Sequence, residues 1–182
     1  MEDVDIDKLV ACGLMQMLPT VLYSSNKAFR SASLNVLANI AAEANKIPLI
    51  FDENLGLLDY VDALLADREQ SVVNEAMWVI YNILSTGSAA HKHTLAKYDI
   101  IGKIVPVLDS PSLEMVTMAI KIIHMSAAFE DLTHADKTVD SPIMQLLDEL
   151  DAIDKVRKLY NHSNEKIHAA SRDFLDEFFD ES

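Results

Sequence analysis

Apolar residues recur along this chain at the three-to-four-residue spacing of helices, and short turn-forming runs separate the helical patterns. Four segments open with Gly or Asp and continue as an apolar helical pattern, starting at Gly13, Gly56, Asp99 and Asp151. A turn-like run and a second helical pattern follow each start. The second helices are predicted over residues 32–42, 71–84, 113–128 and 165–179.

The spacing of these starts indicates an internal repeat. Successive starts are 43, 43 and 52 residues apart. A period of roughly 40–47 residues is typical of armadillo and HEAT repeats. Segments ahead of the starts, such as residues 89–97, can form a small third helix, which favours armadillo over HEAT. An ordinary helical bundle is the alternative.

The predicted fold class is all-α, a right-handed armadillo-repeat superhelix (an α-solenoid) of about four repeats. We predict a single domain over residues 1–182. The longer last spacing places extra residues in a polar stretch, which we predict to be an exposed loop. The predicted repeats are approximately 4–45, 46–87, 88–130 and 142–182, with the loop at 130–142.

Composition and charge restrict the partners of such a fold. Half of the residues are hydrophobic and there are only four Gly and five Pro, which favours long helices. The net charge of −14 disfavours a nucleic-acid partner and favours basic ones. No apolar run approaches the roughly 20 residues of a membrane helix, so we expect no membrane partner. Cys12 is the only cysteine, and we expect it to be a small core residue.

Motifs of catalysis are not visible in the sequence. It contains no Gly-rich phosphate loop, no Gly-x-Ser-x-Gly elbow and no paired catalytic acids. His91 and His93 are two residues apart and do not share a helix face, so they make a poor metal site. We therefore expect neither an enzyme nor a bound cofactor or metal.

Trp78 and Asn82 are the candidate binding residues. They lie one helical turn apart, in a polar stripe that also holds Glu75 and Ser85, beside the apolar stripe of the same helix. An indole attracts cations, and an Asn amide can both donate to and accept from a peptide backbone. The pattern indicates a surface for an extended basic peptide. The alternative is a tryptophan packed in the core between repeats.

Two segments carry a family resemblance. Residues 75–83, Glu-Ala-Met-Trp-Val-Ile-Tyr-Asn-Ile, resemble the Glu-Ala-x-Trp-x-x-x-Asn signature of importin-α (karyopherin-α). Residues 151–165 resemble the last armadillo repeat of that family. The order of motifs is similar to its seventh to tenth repeats, which implies a C-terminal fragment or a shortened relative.

The resemblance implies a concave groove of Trp and Asn side chains that binds nuclear localisation signals. Trp78, Asn82 and Glu75 match one set of groove positions. In the preceding repeat, Asn39 stands at the groove Asn position and Asn35 at the Trp position. The indole that would form a second wall is therefore replaced.

The later repeats depart further from the groove pattern. The third repeat has Lys121 and Met125 at the Trp and Asn positions, and the fourth has Asp173 and Glu177. A lysine at the Trp position would repel a basic peptide. We therefore expect the groove to end near Trp78.

The resulting functional hypothesis is a nuclear-import adaptor that binds basic, Lys/Arg-rich signal peptides of cargo proteins and shuttles between cytoplasm and nucleus. The resemblance also implies contact with the exportin that recycles importin-α, and with importin-β only if an upstream basic arm exists. The first alternative is a structural armadillo scaffold, or protein-interaction module, that has lost signal-peptide binding; Asn35 and Lys121 favour it. The second is a regulatory subunit of an enzyme.

Overall fold

The computed structural model describes residues 6–133 and 141–179, and every regular element in them is helical. The all-α prediction is confirmed. Two short 3₁₀ turns, Ile47–Leu49 and Val105–Asp109, accompany the helices. The α-helices are α1 (Ile6–Ala11), α2 (Leu14–Leu22), α3 (Lys27–Ala41), α4 (Leu57–Leu64), α5 (Gln70–Thr86), α6 (Ala89–Leu95), α7 (Ile100–Ile104), α8 (Leu113–Thr133), α9 (Pro142–Glu149), α10 (Ala152–Leu159) and α11 (Glu165–Phe179).

The chain divides into two compact units. Unit 1, Met1–Tyr98, contains α1 to α6, and unit 2, Asp99–Ser182, contains α7 to α11. In the described part of the chain, no helix is both long and apolar enough to cross a membrane. The proposed repeat boundaries and the single domain stay predictions.

The repeat starts have a backbone reason for their residue types. Gly13 and Gly56 precede α2 and α4 with φ angles of 90° and 57°, and Asp151 precedes α10 with φ of 55°. Glycine adopts this left-handed conformation without a Cβ clash, and Asp is among the few other residues that tolerate it. Asp99 differs, with φ of −81° and a carboxylate that accepts from the Gly102 N–H at 3.2 Å.

Three helix boundaries correct the sequence-based ones. Helix α3 begins at Lys27, five residues earlier than predicted, because the Asn26 side chain caps it by accepting from the Ala28 N–H at 3.0 Å. Helix α8 continues to Thr133, so residues 130–133 of the predicted loop are helical. Helix α9 begins at Pro142 after the N-cap Ser141. The remaining loop residues, 134–140, lie outside the described residues.

In unit 1, α3 packs along α5 and the two helices contribute much of the core. Leu34 and Leu37 of α3 and Val72 and Val79 of α5 are fully buried. Burying such side chains contributes roughly 1.5–3 kcal/mol each. The contact fixes the register of α5 and therefore the direction in which Trp78 points.

A buried ion pair joins the first turn of α3 to the turn before α5. Arg30 and Asp67 have side chains only 9% and 10% exposed. Arg30 Nε lies 2.9 Å from an Asp67 carboxylate oxygen, without the alignment of a hydrogen bond. One terminal nitrogen of the guanidinium donates to the other Asp67 oxygen at 3.1 Å. The second terminal nitrogen donates to the Ser24 and Ser25 carbonyls at 2.8 and 3.0 Å. The pair links two successive turns in the interior.

Unit 2 has an aromatic cluster between α8 and α11. Phe174 is fully buried, with its ring centroid 5.9 Å from that of His124 and 5.3 Å from that of Phe178. His124 also lies 2.6 Å from a carboxylate oxygen of Glu177. The cluster fixes the last helix of this unit.

Cys12 is not the core residue that the sequence predicted. It is exposed, in the turn between α1 and Gly13. Its N–H bonds to carbonyls of α1 at 3.0 and 3.1 Å, so it ends that helix. Helix α1 has no buried residue of its own, so the thiol at its end lies outside the core.

Candidate functional site

Trp78 lies on α5 with its ring half-buried, between the fully buried neighbours Met77 and Val79. The Tyr81 ring meets the indole edge-on, with centroids 5.6 Å apart and an interplanar angle of 83°. Two perpendicular aromatic rings of this kind hold each other in place, in an arrangement worth about 0.5–1.5 kcal/mol. The contact with Tyr81 therefore orders an indole that is partly exposed at the surface.

Glu75, Asn35 and Asn39 form a hydrogen-bonded chain across α3 and α5. Asn39 Nδ2 donates to Asn35 Oδ1 at 3.4 Å, and Asn35 Nδ2 donates to Glu75 Oε2 at 3.3 Å. Both asparagines are exposed and Glu75 is half-buried. The chain leads from α3 to the carboxylate one turn before Trp78.

Asn82 is turned towards α3 instead of towards solvent. Its Nδ2 donates to the Ala38 carbonyl at 2.8 Å, which also accepts from the Ala42 N–H at 3.0 Å. One turn further, Thr86 Oγ1 lies 2.7 Å from the Ala41 carbonyl. Asn82 thus adds a second bond to the Ala38 carbonyl, and Thr86 satisfies the Ala41 carbonyl at the very end of α3, where carbonyls lack intrahelical partners. Both side chains tie the end of α3 to α5.

The structure thus brings together most of the predicted site residues. Glu75, Asn35 and Asn39 share one hydrogen-bonded chain, and Trp78 and Asn82 lie beside it on α5. Ser85 is exposed and lies two turns beyond Trp78 on the same helix. The sequence did not single out Tyr81 and Thr86, although their i+3 spacing from Trp78 and i+4 spacing from Asn82 could have indicated them.

The equivalent positions of the later repeats lie in unit 2 and carry other contacts. Lys121 is exposed and Met125 is half-buried on α8. Asp173 pairs with Arg172 at 3.0 Å, and Glu177 pairs with His124. None of these four side chains carries an aromatic ring or an amide.

The chemistry of the surface follows from three groups. Trp78 supplies an apolar wall, Glu75 supplies a carboxylate close to it, and Asn35 and Asn39 supply amides with spare hydrogen-bonding capacity. A carboxylate beside an indole favours a cation carried on an alkyl stem. The amides can pair with the polar backbone of an extended chain.

We expect Asn82→Ala to lower the free energy of unfolding of unit 1 by about 0.5–1.5 kcal/mol, the usual net value of one hydrogen bond. The loss stays small because the Ala38 carbonyl keeps its bond from the Ala42 N–H. Urea denaturation followed by Trp78 fluorescence measures it, since Trp78 is the only tryptophan. Ser85→Ala, at an exposed position of the same helix, is the control and should change nothing. An unchanged midpoint for Asn82→Ala would mean that its amide is not holding α3.

Comparison with solved structures identifies the fold. Computationally designed armadillo repeat proteins for modular peptide recognition match with a TM-score of 0.75 and 23% identity, over 93% of this chain and 66% of theirs. A designed armadillo repeat protein in complex with the peptide (KR)4 matches with a TM-score of 0.64 and 23% identity, over 95% of this chain and 85% of the other. An engineered protein matches with a TM-score of 0.72 and 18% identity, over 88% of this chain and 60% of its own.

These matches establish an armadillo-repeat fold, as the repeat spacing predicted. The chain spans less than two thirds of the length of the first two structures. No protein-family model and no curated protein sequence matches the chain. The resemblance to importin-α therefore stays a prediction that rests on the two motifs alone.

Proposed function

We propose that this chain is a protein-interaction module that binds a basic peptide across Trp78. The observation that carries the proposal is the half-buried indole of Trp78, with a carboxylate one turn away and the hydrogen-bonded pair Asn35 and Asn39 leading to that carboxylate. The net charge of −14 adds a long-range attraction for basic partners. The designed armadillo protein in complex with (KR)4 supports the same class of ligand.

One lysine or arginine of the peptide is placed on the indole. Its alkyl stem covers the ring while its charged head approaches Glu75, a contact worth about 0.5–2 kcal/mol depending on desolvation. Asn35 and Asn39 pair with the peptide backbone, each bond adding roughly 0.5–1.5 kcal/mol. Asn82 acts through α3 by holding the Ala38 carbonyl. With a single indole, the site binds weakly, with a Kd on the order of micromolar or above.

The finer part of the proposal is biological. From the importin-α-like motifs we propose that the basic peptide is a nuclear localisation signal. The chain is then an import adaptor that shuttles between cytoplasm and nucleus. Contact with the recycling exportin, and with importin-β through an upstream basic arm, belongs to the same hypothesis. This part depends on residues 75–83 and 151–165.

A second candidate function is a scaffold that has lost peptide binding. The observation that favours it is that several polar side chains of the candidate site already have hydrogen-bond partners inside the chain. Glu75 accepts from Asn35, and the Asn82 amide is bonded to α3. In that case these side chains strengthen the contact between α3 and α5, and the surface at Trp78 binds no ligand.

Titration of the intact chain with the peptide (KR)4 distinguishes the two functions. Trp78 is the only tryptophan, so quenching or a shift of its emission reports on this surface. We expect Trp78→Ala to weaken (KR)4 binding at least about tenfold, as measured by calorimetry. The same substitution should lower the free energy of unfolding by less than about 3–5 kcal/mol, the cost of removing a buried aromatic ring. Tyr23→Ala is the control: it removes an aromatic residue that is 82% exposed and lies outside the candidate site, and it should leave binding unchanged.

The charge of the site is tested in the same titration. Glu75→Gln keeps the shape of the side chain and should weaken (KR)4 binding and reduce its dependence on salt, because exposed charges are screened beyond about 8 Å at physiological ionic strength. Failure of the intact chain to bind (KR)4 at any salt concentration would support the scaffold. Equal binding by wild type and Trp78→Ala would place the ligand elsewhere.

A further inference from the structure

A cleft of about 450 Å³ opens between the end of α2 and α4 in unit 1. Its volume falls within the range of about 300–1,000 Å³ that is usual for ligand sites in proteins. The apolar part of its lining includes Leu22 of α2 and Tyr60, Ala63 and Leu64 of α4. The two leucines are buried, whereas Tyr60 is half-buried and Ala63 is exposed, so an apolar group can reach the cleft from solvent.

The polar end of this α2–α4 cleft contains two arginines in different surroundings. Arg30 is buried, and Asp67 neutralises its charge at 2.9 Å. Arg68 has a side chain that is 82% exposed, and its Nε lies 3.8 Å from a carboxylate oxygen of Glu69, which is too far for a hydrogen bond. The Glu69 carboxylate accepts instead from the Lys27 ammonium, at 2.9 Å. A guanidinium has five N–H donors, so Arg68 can donate to an acceptor on a ligand.

The carboxyl groups at this end of the cleft lie in a positive local field. Burial would raise the pKa of Asp67, but the hydrogen bond from the Glu69 N–H and the contact with Arg30 hold that pKa below its ordinary value. The charge of Arg68 lowers it further. The pKa of Glu69 is lowered as well, first by the hydrogen bond from Lys27 and also by the charge of Arg68. A carboxylate carried by a ligand would meet the same exposed cation.

We propose that the α2–α4 cleft binds a segment of a partner protein in which an apolar side chain is followed by a carboxylate. The apolar side chain lies against Tyr60 and Ala63, and the carboxylate pairs with Arg68, whose guanidinium can donate two parallel bonds to it. The charge of this ligand is opposite to that of the basic peptide proposed for Trp78. The two sites share no residue, so either proposal can fail without the other.

A peptide segment suits the cleft better than a small free carboxylate. Ala63 and Arg68 are exposed, so the cleft is open at its mouth and a small ligand would stay partly in water. A longer segment places its neighbouring residues on the surface around the mouth, and the additional buried area offsets more of the cost of association. The test must therefore distinguish the two sources of the carboxylate.

The test is an NMR titration of the intact ¹⁵N-labelled chain with the capped peptide Gly-Ser-Phe-Asp-Ser-Gly. We expect saturable shifts of the amide signals of α4 and of the turn between α2 and α3. Replacing Asp by Asn or Lys in the peptide should weaken binding by about threefold or more, because the ion pair is lost. Replacing Phe by Ala should weaken it by about tenfold or more, because the apolar burial is lost. Free 3-phenylpropionate should bind less tightly than the peptide; equal binding would overturn the assignment to a peptide segment.

Variants of the chain tie the binding to the cleft. Arg68→Gln should remove the preference for the Asp peptide over the Asn peptide. Ala63→Phe fills the cleft from an exposed position, and should weaken binding by about tenfold or more with little change in melting temperature. Lys121→Gln removes the same charge from an exposed position of unit 2 and should change nothing. Equal binding by wild type and Ala63→Phe, or equal binding of the Asp and Lys peptides, would overturn the proposal. Loss of binding in Trp78→Ala alone would also overturn it, since the acidic peptide would then occupy the other site.

Discussion

Arg30→Ala is expected to lower the free energy of unfolding of unit 1 by about 3–5 kcal/mol, the cost of leaving one partner of a buried ion pair without its counter-charge. Arg30 and Asp67 are each about nine-tenths buried. Removing the guanidinium also leaves the Ser24 and Ser25 carbonyls without the bonds that it donates to them. Urea denaturation followed by Trp78 fluorescence measures the change, because Trp78 lies in the same unit.

The double variant Arg30→Met with Asp67→Leu is the matched control. It removes both charges and keeps side-chain volume, so much of the loss should be recovered, as is common when apolar residues replace a buried pair. Lys27→Ala breaks the exposed pair with Glu69, in which the Lys27 side chain is 60% exposed, and should cost no more than about 1 kcal/mol. Equal costs for Arg30→Ala and Lys27→Ala would mean that burial does not strengthen the inner pair.

The same pair sets a pH dependence. Burial alone would raise the pKa of Asp67, but the hydrogen bond from the Glu69 N–H and the contact with Arg30 outweigh it and hold the pKa below its ordinary value of 3.8. A carboxyl whose pKa is lowered on folding stabilises the folded state above its unfolded pKa. That contribution is lost as the pH falls through the folded pKa. Arg30→Ala should therefore flatten the loss of stability below about pH 4.

The repeat architecture was readable from the sequence because its signal is local. Gly13 and Gly56 are required by positive φ angles at the start of each repeat, and Asp151 meets the same requirement. Those residues recur at a fixed spacing, so the period was visible. The sequence places the start of α3 too late because Phe29 is the only large apolar residue among residues 27–31, so no apolar period marks the first turn after the cap Asn26.

The candidate site was predictable only in part, for a similar reason. The i, i+4 spacing placed Trp78 and Asn82 on one side of α5, which needs nothing beyond helix geometry. The bond from Asn82 to the Ala38 carbonyl joins residues 44 positions apart, and the bond from Asn35 to Glu75 joins residues 40 apart. Such contacts depend on how α3 packs on α5. Sequence periodicity therefore predicts which residues form the site. It does not predict that the Asn82 amide bonds to α3 while Asn35 and Asn39 stay exposed.

Contacts of that kind also hold the last helix, where the aromatic cluster was not foreseen. Phe174→Ala is expected to lower the free energy of unfolding of unit 2 by about 3–5 kcal/mol, because it removes a fully buried ring and leaves a cavity. The ring contacts of Phe174 with His124, Phe178 and Phe179, at centroid distances of 5.9, 5.3 and 6.0 Å, would be lost together. Hydrogen exchange of α8 and α11 reports on this unit, which has no tryptophan.

Phe178→Ala tests whether the stability of α11 depends on burial of the Phe174 ring or on ring contacts in general. Phe178 is half-buried and meets the His124 ring edge-on at 5.9 Å, so its removal opens a site to water instead of creating a closed cavity. We expect it to cost less than half as much as Phe174→Ala. Phe174→Leu, which retains most of the buried apolar volume, should recover much of the loss. If Phe174→Ala and Phe178→Ala accelerate exchange in α11 equally, burial of the Phe174 ring adds nothing to the hold on this helix.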